Sequence, residues 1–174
     1  MRPRIGLDDR RIDGVTSIEL VLVIAVTAIV IALGISAYRT YSARAQIAAS
    51  IEDTAAVQRL VAAAFTSNGI PPADAAAAGI DETARGFLAG TYIESLDVRN
   101  GRIDLRFGTK AHPAIVGKTL SLTPFETVEQ EVVWVCGNEP PGVGLKPLGF
   151  ASGTLQAVQI PTSVEDRYLP PACR

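Results

Sequence analysis

This 174-residue sequence is poor in the side chains on which most enzymes and metal sites depend. It contains one histidine, two cysteines, one methionine and one tryptophan. His112 stands before Pro113 with no histidine or cysteine at metal-ligand spacing nearby, which argues against a zinc site and a Ser-His triad. A phosphate-binding glycine motif is also missing. We therefore expect a non-enzymatic protein with no catalytic residue, no metal and no cofactor.

The sequence also has little excess charge of either sign. Sixteen basic and eighteen acidic residues give a formal net charge of −2, so no global positive field points to nucleic acid or to an anionic membrane. Three acidic pairs are adjacent in sequence and do not share one helix face, so they indicate solvated surface instead of a general acid and base. These pairs are Glu52-Asp53, Asp81-Glu82 and Glu165-Asp166.

One long apolar segment lies near the start of the chain. No residue is charged from Leu20 through Tyr38, and at about 1.5 Å per helical residue this run spans about 28 Å, close to the thickness of a bilayer core. More arginines precede the run than follow it, which favours a cytoplasmic N-terminus. Glu19 stands at the edge of the run, where a lone charge costs roughly 2.5–3.5 kcal/mol on insertion scales. We therefore expect this carboxylate to have a partner.

Two ordinary explanations of this segment stay open from the residues alone. A secretory signal peptide would have a basic start, an apolar middle and a small-residue exit such as Ile35 to Ala37. An uncleaved signal anchor would leave Glu19 reaching back to the membrane surface. Against the signal peptide, the segment before the exit is long, and the glutamate lies in the leading part of the apolar region.

The run GVTSIELVLVIAVTAIVIALGISAYRTYSARAQ, from Gly14 to Gln46, resembles the N-terminal signature of type IV pilins. In that family a short charged leader ends in glycine, a peptidase on the cytoplasmic side cuts after it, and the fifth residue of the mature chain is glutamate. The resemblance implies that residues 1–14 are a cleaved leader and that the cut falls between Gly14 and Val15. It also implies that Val15 becomes the methylated N-terminus and that Glu19 is the family's glutamate.

The resemblance gives Glu19 a role in assembly. The cationic amine of Val15 on one subunit would be neutralised by Glu19 of another, and the apolar helices of residues 15–38 would pack into a filament core. A head-to-tail contact of this kind generates an open helical assembly, not a closed ring. The implied partners are further copies of this chain, the prepilin peptidase, the pilus assembly machinery and, before assembly, the inner membrane.

Several residues depart from the family pattern. Val15 stands where the family usually has phenylalanine, and the leader ends in Asp13-Gly14 instead of Lys-Gly or Arg-Gly. Many members have glycine within the span and proline near its end, where this chain has Ala28 and Ser36. Without that proline we expect a straighter membrane helix.

After the apolar span, the pattern predicts more helix and then a sheet. Residues 39–68 continue the helix with an apolar stripe, and residues 69–90 form a connecting loop. Residues 91–136 alternate with period two around the hairpin signal Asn100-Gly101, which predicts about four antiparallel strands. The predicted fold is α+β, with the long N-terminal helix packed on an antiparallel sheet.

Two cysteines bound the last part of the chain. In an exported protein an even cysteine count favours a disulfide between Cys136 and Cys173, and two isolated thiols are the alternative. The strand ending WVC and the tail YLPPACR are similar to the C-terminal domains of type IVa pilins. The resemblance therefore implies a periplasmic or extracellular head, residues 39–174, that ends in a disulfide-closed loop of residues 136–173.

Three functional classes remain after this reasoning. The first is the repeating subunit of a surface filament that supports adhesion, twitching motility or DNA uptake. The second is a minor pilin or a type II secretion pseudopilin, and the third is a membrane-anchored extracytoplasmic binding domain. The C-terminal cysteine pair favours the first class over the second. Direct DNA binding has weak support from one basic stretch, which Asp104 partly neutralises and which contains Arg99, Arg102, Arg106, Lys110 and Lys118.

Overall fold

The computed structural model describes residues 15–82, 86, 90–153 and 155–174. The proposed leader and Gly14 lie outside these residues. The chain divides into two compact units between Tyr38 and Arg39. The helices and strands described in these residues are α1 Ser17–Asp53, α2 Ala55–Asn68, β1 Ile93–Arg99, β2 Arg102–Phe107, β3 Thr119–Glu126, β4 Val132–Cys136 and β5 Lys146–Pro147. Short 3-10 turns complete the tail at Phe150–Ser152, Asp166–Tyr168 and Pro171–Cys173.

Helix α1 begins just after Thr16 and continues without a break through Gly34. The Thr16 carbonyl accepts the first helical hydrogen bond, from the Leu20 N–H at 3.1 Å. No proline interrupts α1, and the Thr27 hydroxyl donates to the Val23 carbonyl at 2.7 Å. The Thr27 hydroxyl is thus satisfied within the helix, as an apolar surrounding requires.

The long helix tightens once, at Thr54, where the sequence pattern predicts continuous helix. The Thr54 N–H bonds to the Ile51 carbonyl at 3.2 Å, one residue closer than in a regular α-helix, and the Thr54 hydroxyl donates to the same carbonyl at 2.7 Å. Gln58 donates to that hydroxyl at 3.2 Å. A threonine hydroxyl that competes for backbone carbonyls explains this local 3-10 step.

The inner faces of α1 and α2 form one side of the main core. Ala43, Ile47, Val57 and Val61 are fully buried there, which confirms an apolar stripe in the second half of the helix. The helix ends as predicted at Gly69, which takes a left-handed conformation at φ 71° and donates its N–H to the Phe65 carbonyl. Glycine adopts this conformation without a steric cost.

The strands form one antiparallel sheet in the order β1-β2-β3-β4, which confirms the predicted α+β fold. Asn100 and Gly101 both have positive φ, 51° and 80°, so β1 and β2 are joined by the two-residue turn that the sequence predicts. The turn is fastened to the connecting loop, because Asn100 N–H donates to the Ala73 carbonyl and Gly101 N–H to the Pro72 carbonyl. The short strand β5, which the sequence pattern did not predict, pairs with the end of β3.

Strand β3 is buried on both faces. Leu120 and Leu122 point into the main core beneath the helices. The alternate residues Thr123 and Phe125 point to the opposite, outer face, yet they are also buried. The C-terminal segment reaches this face, since the Arg102 side chain, which lies on the outer face, donates to the Val158 carbonyl at 2.7 Å. The sheet is therefore covered on one side by helix and, over β3, on the other side by the tail.

The hydroxyl of Thr123 has no hydrogen-bond partner among the described residues, although the residue is fully buried. An unsatisfied buried hydroxyl costs about 1–3 kcal/mol, and valine has nearly the same shape. We expect Thr123→Val to stabilise the protein by about 1 kcal/mol, measured as a higher thermal unfolding midpoint.

The neighbouring residue Ser121 supplies the matched control for this change. Its hydroxyl is also buried but donates to Asp104 Oδ1 at 2.8 Å, so Ser121→Ala is expected to lower the unfolding midpoint. A lower midpoint for Thr123→Val would show that the Thr123 hydroxyl is bound in solution.

Candidate functional site

The first candidate site is the exposed apolar half of α1. Every residue from Val15 through Arg39 is exposed, and side chains as large as Ile18 and Leu33 are 80% and 69% accessible. In the described part of the chain, one helix is long and apolar enough to cross a membrane, and its apolar window lies in this half. Such a surface is stable in water only when something covers it.

Glu19 lies in the first turn of this helix. Its backbone N–H is directed at the Thr16 hydroxyl, with 3.4 Å between the two heavy atoms. A carboxylate at this position interacts favourably with the positive end of the helix dipole. Within the described residues the Glu19 side chain forms no ion pair or hydrogen bond, and it is exposed together with Val15. The carboxylate is thus presented outward, available to a group from another molecule.

Two tyrosines mark the end of the exposed apolar segment, and the sequence reasoning overlooked them. Tyr38 and Tyr41 are 69% and 71% accessible, and they are flanked by Arg39 and Arg44. Tyrosine and arginine are enriched where a membrane-crossing helix meets water, because each combines an apolar stem with a polar end. Two tyrosines three residues apart, next to arginine, were the sequence signal for this boundary.

The two cysteines form the predicted disulfide at the end of β4. Cys136 and Cys173 are bonded with their Cα atoms 4.6 Å apart and 37 residues apart in sequence. Both are buried in the main core, and the Cys173 carbonyl accepts the Asn138 N–H at 3.1 Å. The bond therefore fixes the last residue but one of the chain against the sheet.

His112 has a structural environment in the connection between β2 and β3. Its backbone N–H donates to Gln46 Oε1 at 2.6 Å, and its Nδ1 accepts the Ala114 N–H at 3.2 Å. The first of these bonds holds the connection against α1, and the second lies within the connection. Over residues 15–82, 86, 90–153 and 155–174, no group of three histidine, cysteine or carboxylate side chains is placed to hold a metal ion.

Two of the five residues of the basic stretch pair with carboxylates. Arg102 donates two hydrogen bonds to the Asp104 carboxylate at 2.8 and 2.9 Å. Arg106 Nε lies 3.3 Å from Glu94 Oε2 on the exposed side of β1 and β2. These pairs reduce the positive field that a phosphate backbone would meet.

Comparison with known proteins agrees with this architecture. The sequence model of the pilin family, whose description is pilin of a bacterial filament, matches residues 43–174. The type IV major pilin protein PilE of Neisseria gonorrhoeae is 30% identical over 92% of this chain and 93% of its own length. A fimbrial protein of Neisseria meningitidis serogroup B is 28% identical with the same coverage. The fimbrial protein EcpC of Eikenella corrodens is 34% identical over 63% of this chain and 72% of its own length.

The matched region contains the amphipathic end of the helix, the whole sheet and the disulfide-bounded tail. The relatives that align over 92% of the chain must also align with most of the residues before position 43, which the family model does not match. With a long apolar helix at the start and a disulfide at the end, this chain belongs to the type IV pilin family.

Proposed function

We propose that this pilin is the repeating subunit of a type IV pilus, polymerised from the inner membrane into a helical surface filament. The observation that carries the proposal is the apolar half of α1, which the subunit leaves uncovered and which begins with one outward-facing carboxylate. Packing these helices together would bury apolar surface, and each Å² removed from water contributes about 25 cal/mol of favourable free energy. A filament core of such helices is the cover that this surface needs.

Processing precedes assembly in this proposal. Prepilin peptidase cuts between Gly14 and Val15 and removes residues 1–14, and Val15 becomes the methylated N-terminus. Residues 15–38 then form the membrane and assembly helix, and residues 39–174 form the head. A methylated amine keeps its positive charge, so Val15 remains a cation in the apolar surroundings.

Glu19 sets the axial position of one subunit against the next. The Val15 amine of one subunit would pair with Glu19 of a neighbour, since each charge would otherwise be stranded among apolar helices. The exposed position of Glu19 in the first turn supports an intermolecular partner. The contact is heterologous, so each added subunit leaves the same contact open at the end of the filament.

Before assembly the same helix would anchor the subunit in the inner membrane. From Ser17 to Tyr38 the helix rises about 32 Å, enough to cross a hydrocarbon core. Tyr38 and Tyr41 would then lie at the outer water boundary, with the head beyond it. The pilus assembly machinery would extract the helix from this position.

A minor pilin or a type II secretion pseudopilin is the alternative within the same family. The repeating subunit is favoured because relatives that align over most of this chain carry the name major pilin. The disulfide at the end of the head supports the same choice. Such a filament would support adhesion, twitching motility or DNA uptake.

Intact-mass and N-terminal analysis of protein sheared from the cell surface tests the proposal. We expect an abundant chain that begins at Val15, carries one added methyl group and lacks the two hydrogens lost in forming the Cys136–Cys173 bond. A chain that begins near Tyr38, or a full-length chain confined to the membrane, would contradict it. A correctly processed chain present only in trace amounts would assign the protein to the minor subunits.

A further inference from the structure

The segment of residues 155–163, here called the strap, crosses the outer face of the sheet. Near one end, Ala157 N–H donates to the Leu148 carbonyl at 3.0 Å. Near the other end, Thr162 Oγ1 and Ser163 N–H both donate to the Thr119 carbonyl. Between them, Gln159 Nε2 donates to two carbonyls of the chain just after β4. The strap belongs to no strand and is held by these separate attachments.

Arg102 makes a further attachment, at the residue just before Gln159. Its Nη1 donates to the Val158 carbonyl at 2.7 Å, and its Nε and Nη2 donate to the two oxygens of Asp104. Asp104 Oδ1 also accepts the Ser121 hydroxyl. The side chains of Arg102 and Asp104 are only 11% and 20% accessible. Because the Arg102 guanidinium is planar, its two hydrogen bonds to Asp104 fix its orientation. Nη1 is thereby directed at the strap.

Ala157 of the strap is buried, but the strap is loosely packed beyond it. Val158 is 57% accessible, and Ile160 forms one wall of an open groove of about 320 Å³. The opposite wall is the polar outer face of β1 and β2, including Ser95 and Arg106. Because little apolar surface holds this part of the strap, its hydrogen bonds decide whether it stays closed.

We propose that Arg102 and Asp104 form a latch that keeps the strap closed over the outer face of the sheet. Loss of the latch lets the strap open as a unit. The main core, which lies on the other face of the sheet, stays folded, and the Cys136–Cys173 bond limits how far the tail can move. The latch is thus a conformational device within the head, separate from the apolar helix.

Hydrogen exchange of the full-length protein in detergent, followed by mass spectrometry, tests the latch. In Arg102→Met, peptides that cover residues 155–163 are expected to exchange about tenfold faster or more, as the loss of charge-assisted hydrogen bonds implies. Peptides from β1 and from the Phe107 region are expected to exchange at the wild-type rate. Unchanged exchange in the strap would overturn the proposal.

Arg106→Met is the matched control, because Arg106 lies on the same strand and the same face but pairs with Glu94 in the open, with 56% and 60% of the two side chains accessible. It is expected to leave the strap unchanged. If Arg102→Met does not fold, Arg102→Lys serves instead. Lysine keeps the charge but lacks the fork that reaches Asp104 and Val158 together. Faster exchange confined to the strap supports the latch, and faster exchange throughout the sheet overturns it.

Discussion

Replacing Glu19 by alanine is expected to leave the subunit in the membrane and to reduce the yield of filaments by roughly 100-fold. The variant retains the apolar helix that inserts, but the Val15 amine of a docking subunit would meet no counter-charge. An unpaired charge in such surroundings costs roughly 2.5–3.5 kcal/mol, and each 1.4 kcal/mol is about a factor of ten in the equilibrium. Sheared filament mass, relative to the pool of subunits in the membrane, measures the effect.

Glu52→Ala provides a control on the same helix, because Glu52 is an exposed carboxylate of α1 that lies within the head. Its removal is expected to change filament yield little. Glu19→Gln separates charge from shape, and it should fail to assemble nearly as completely as the alanine variant. Normal filaments from either Glu19 variant would exclude charge pairing as the basis of assembly.

Replacing Cys173 by serine is expected to produce the largest loss of stability in the head. The disulfide closes a loop of residues 136–173, worth about 3–4 kcal/mol when the cross-link restricts the unfolded chain. For a protein of this size the thermal midpoint should fall by about 10 °C. Thermal unfolding of the purified protein, under oxidising conditions and in detergent, gives the midpoint.

The double variant Cys136→Ser and Cys173→Ser is the control for this measurement. Either substitution alone breaks the Cys136–Cys173 bond, and the second has no further bond to break. The double variant is therefore expected to be about as stable as either single variant. An additive loss would mean that the two side chains contribute mainly by separate packing in the core. An unchanged midpoint in Cys173→Ser would show that the cross-link does not stabilise the head.

The parts of the fold that were predictable from sequence depend on neighbouring residues. The Asn100-Gly101 turn requires two positive φ angles, and these residue types accept them. Gly69 ends the helix for a similar local reason. Glu19 was noticeable because a single carboxylate beside an uncharged run is costly when that run lies in a membrane. In each case the physical constraint is contained within a few consecutive residues.

The parts that were missed depend on residues that meet only after folding. Arg102 and Val158 are 56 residues apart in sequence, and no periodic pattern connects them. Strand β5 is two residues long and pairs through β3, so its own composition carries no strand signal. The tightened turn at Thr54 needs a buried hydroxyl that has no better acceptor than the Ile51 carbonyl. Because Val158 is so far from them in sequence, Arg102 and Asp104 resembled an ordinary solvated pair.

The double covering of β3 has a consequence for the order in which the head folds. The β1–β2 hairpin closes through a two-residue turn, whereas the strap reaches Thr119 across 43 and 44 residues. Short loops close faster and with less loss of entropy than long ones, so we expect the sheet to form before the tail docks on it. Oxidation of the two thiols would then come late. The cross-link would lock an arrangement that the sheet has already selected, instead of guiding the chain toward it.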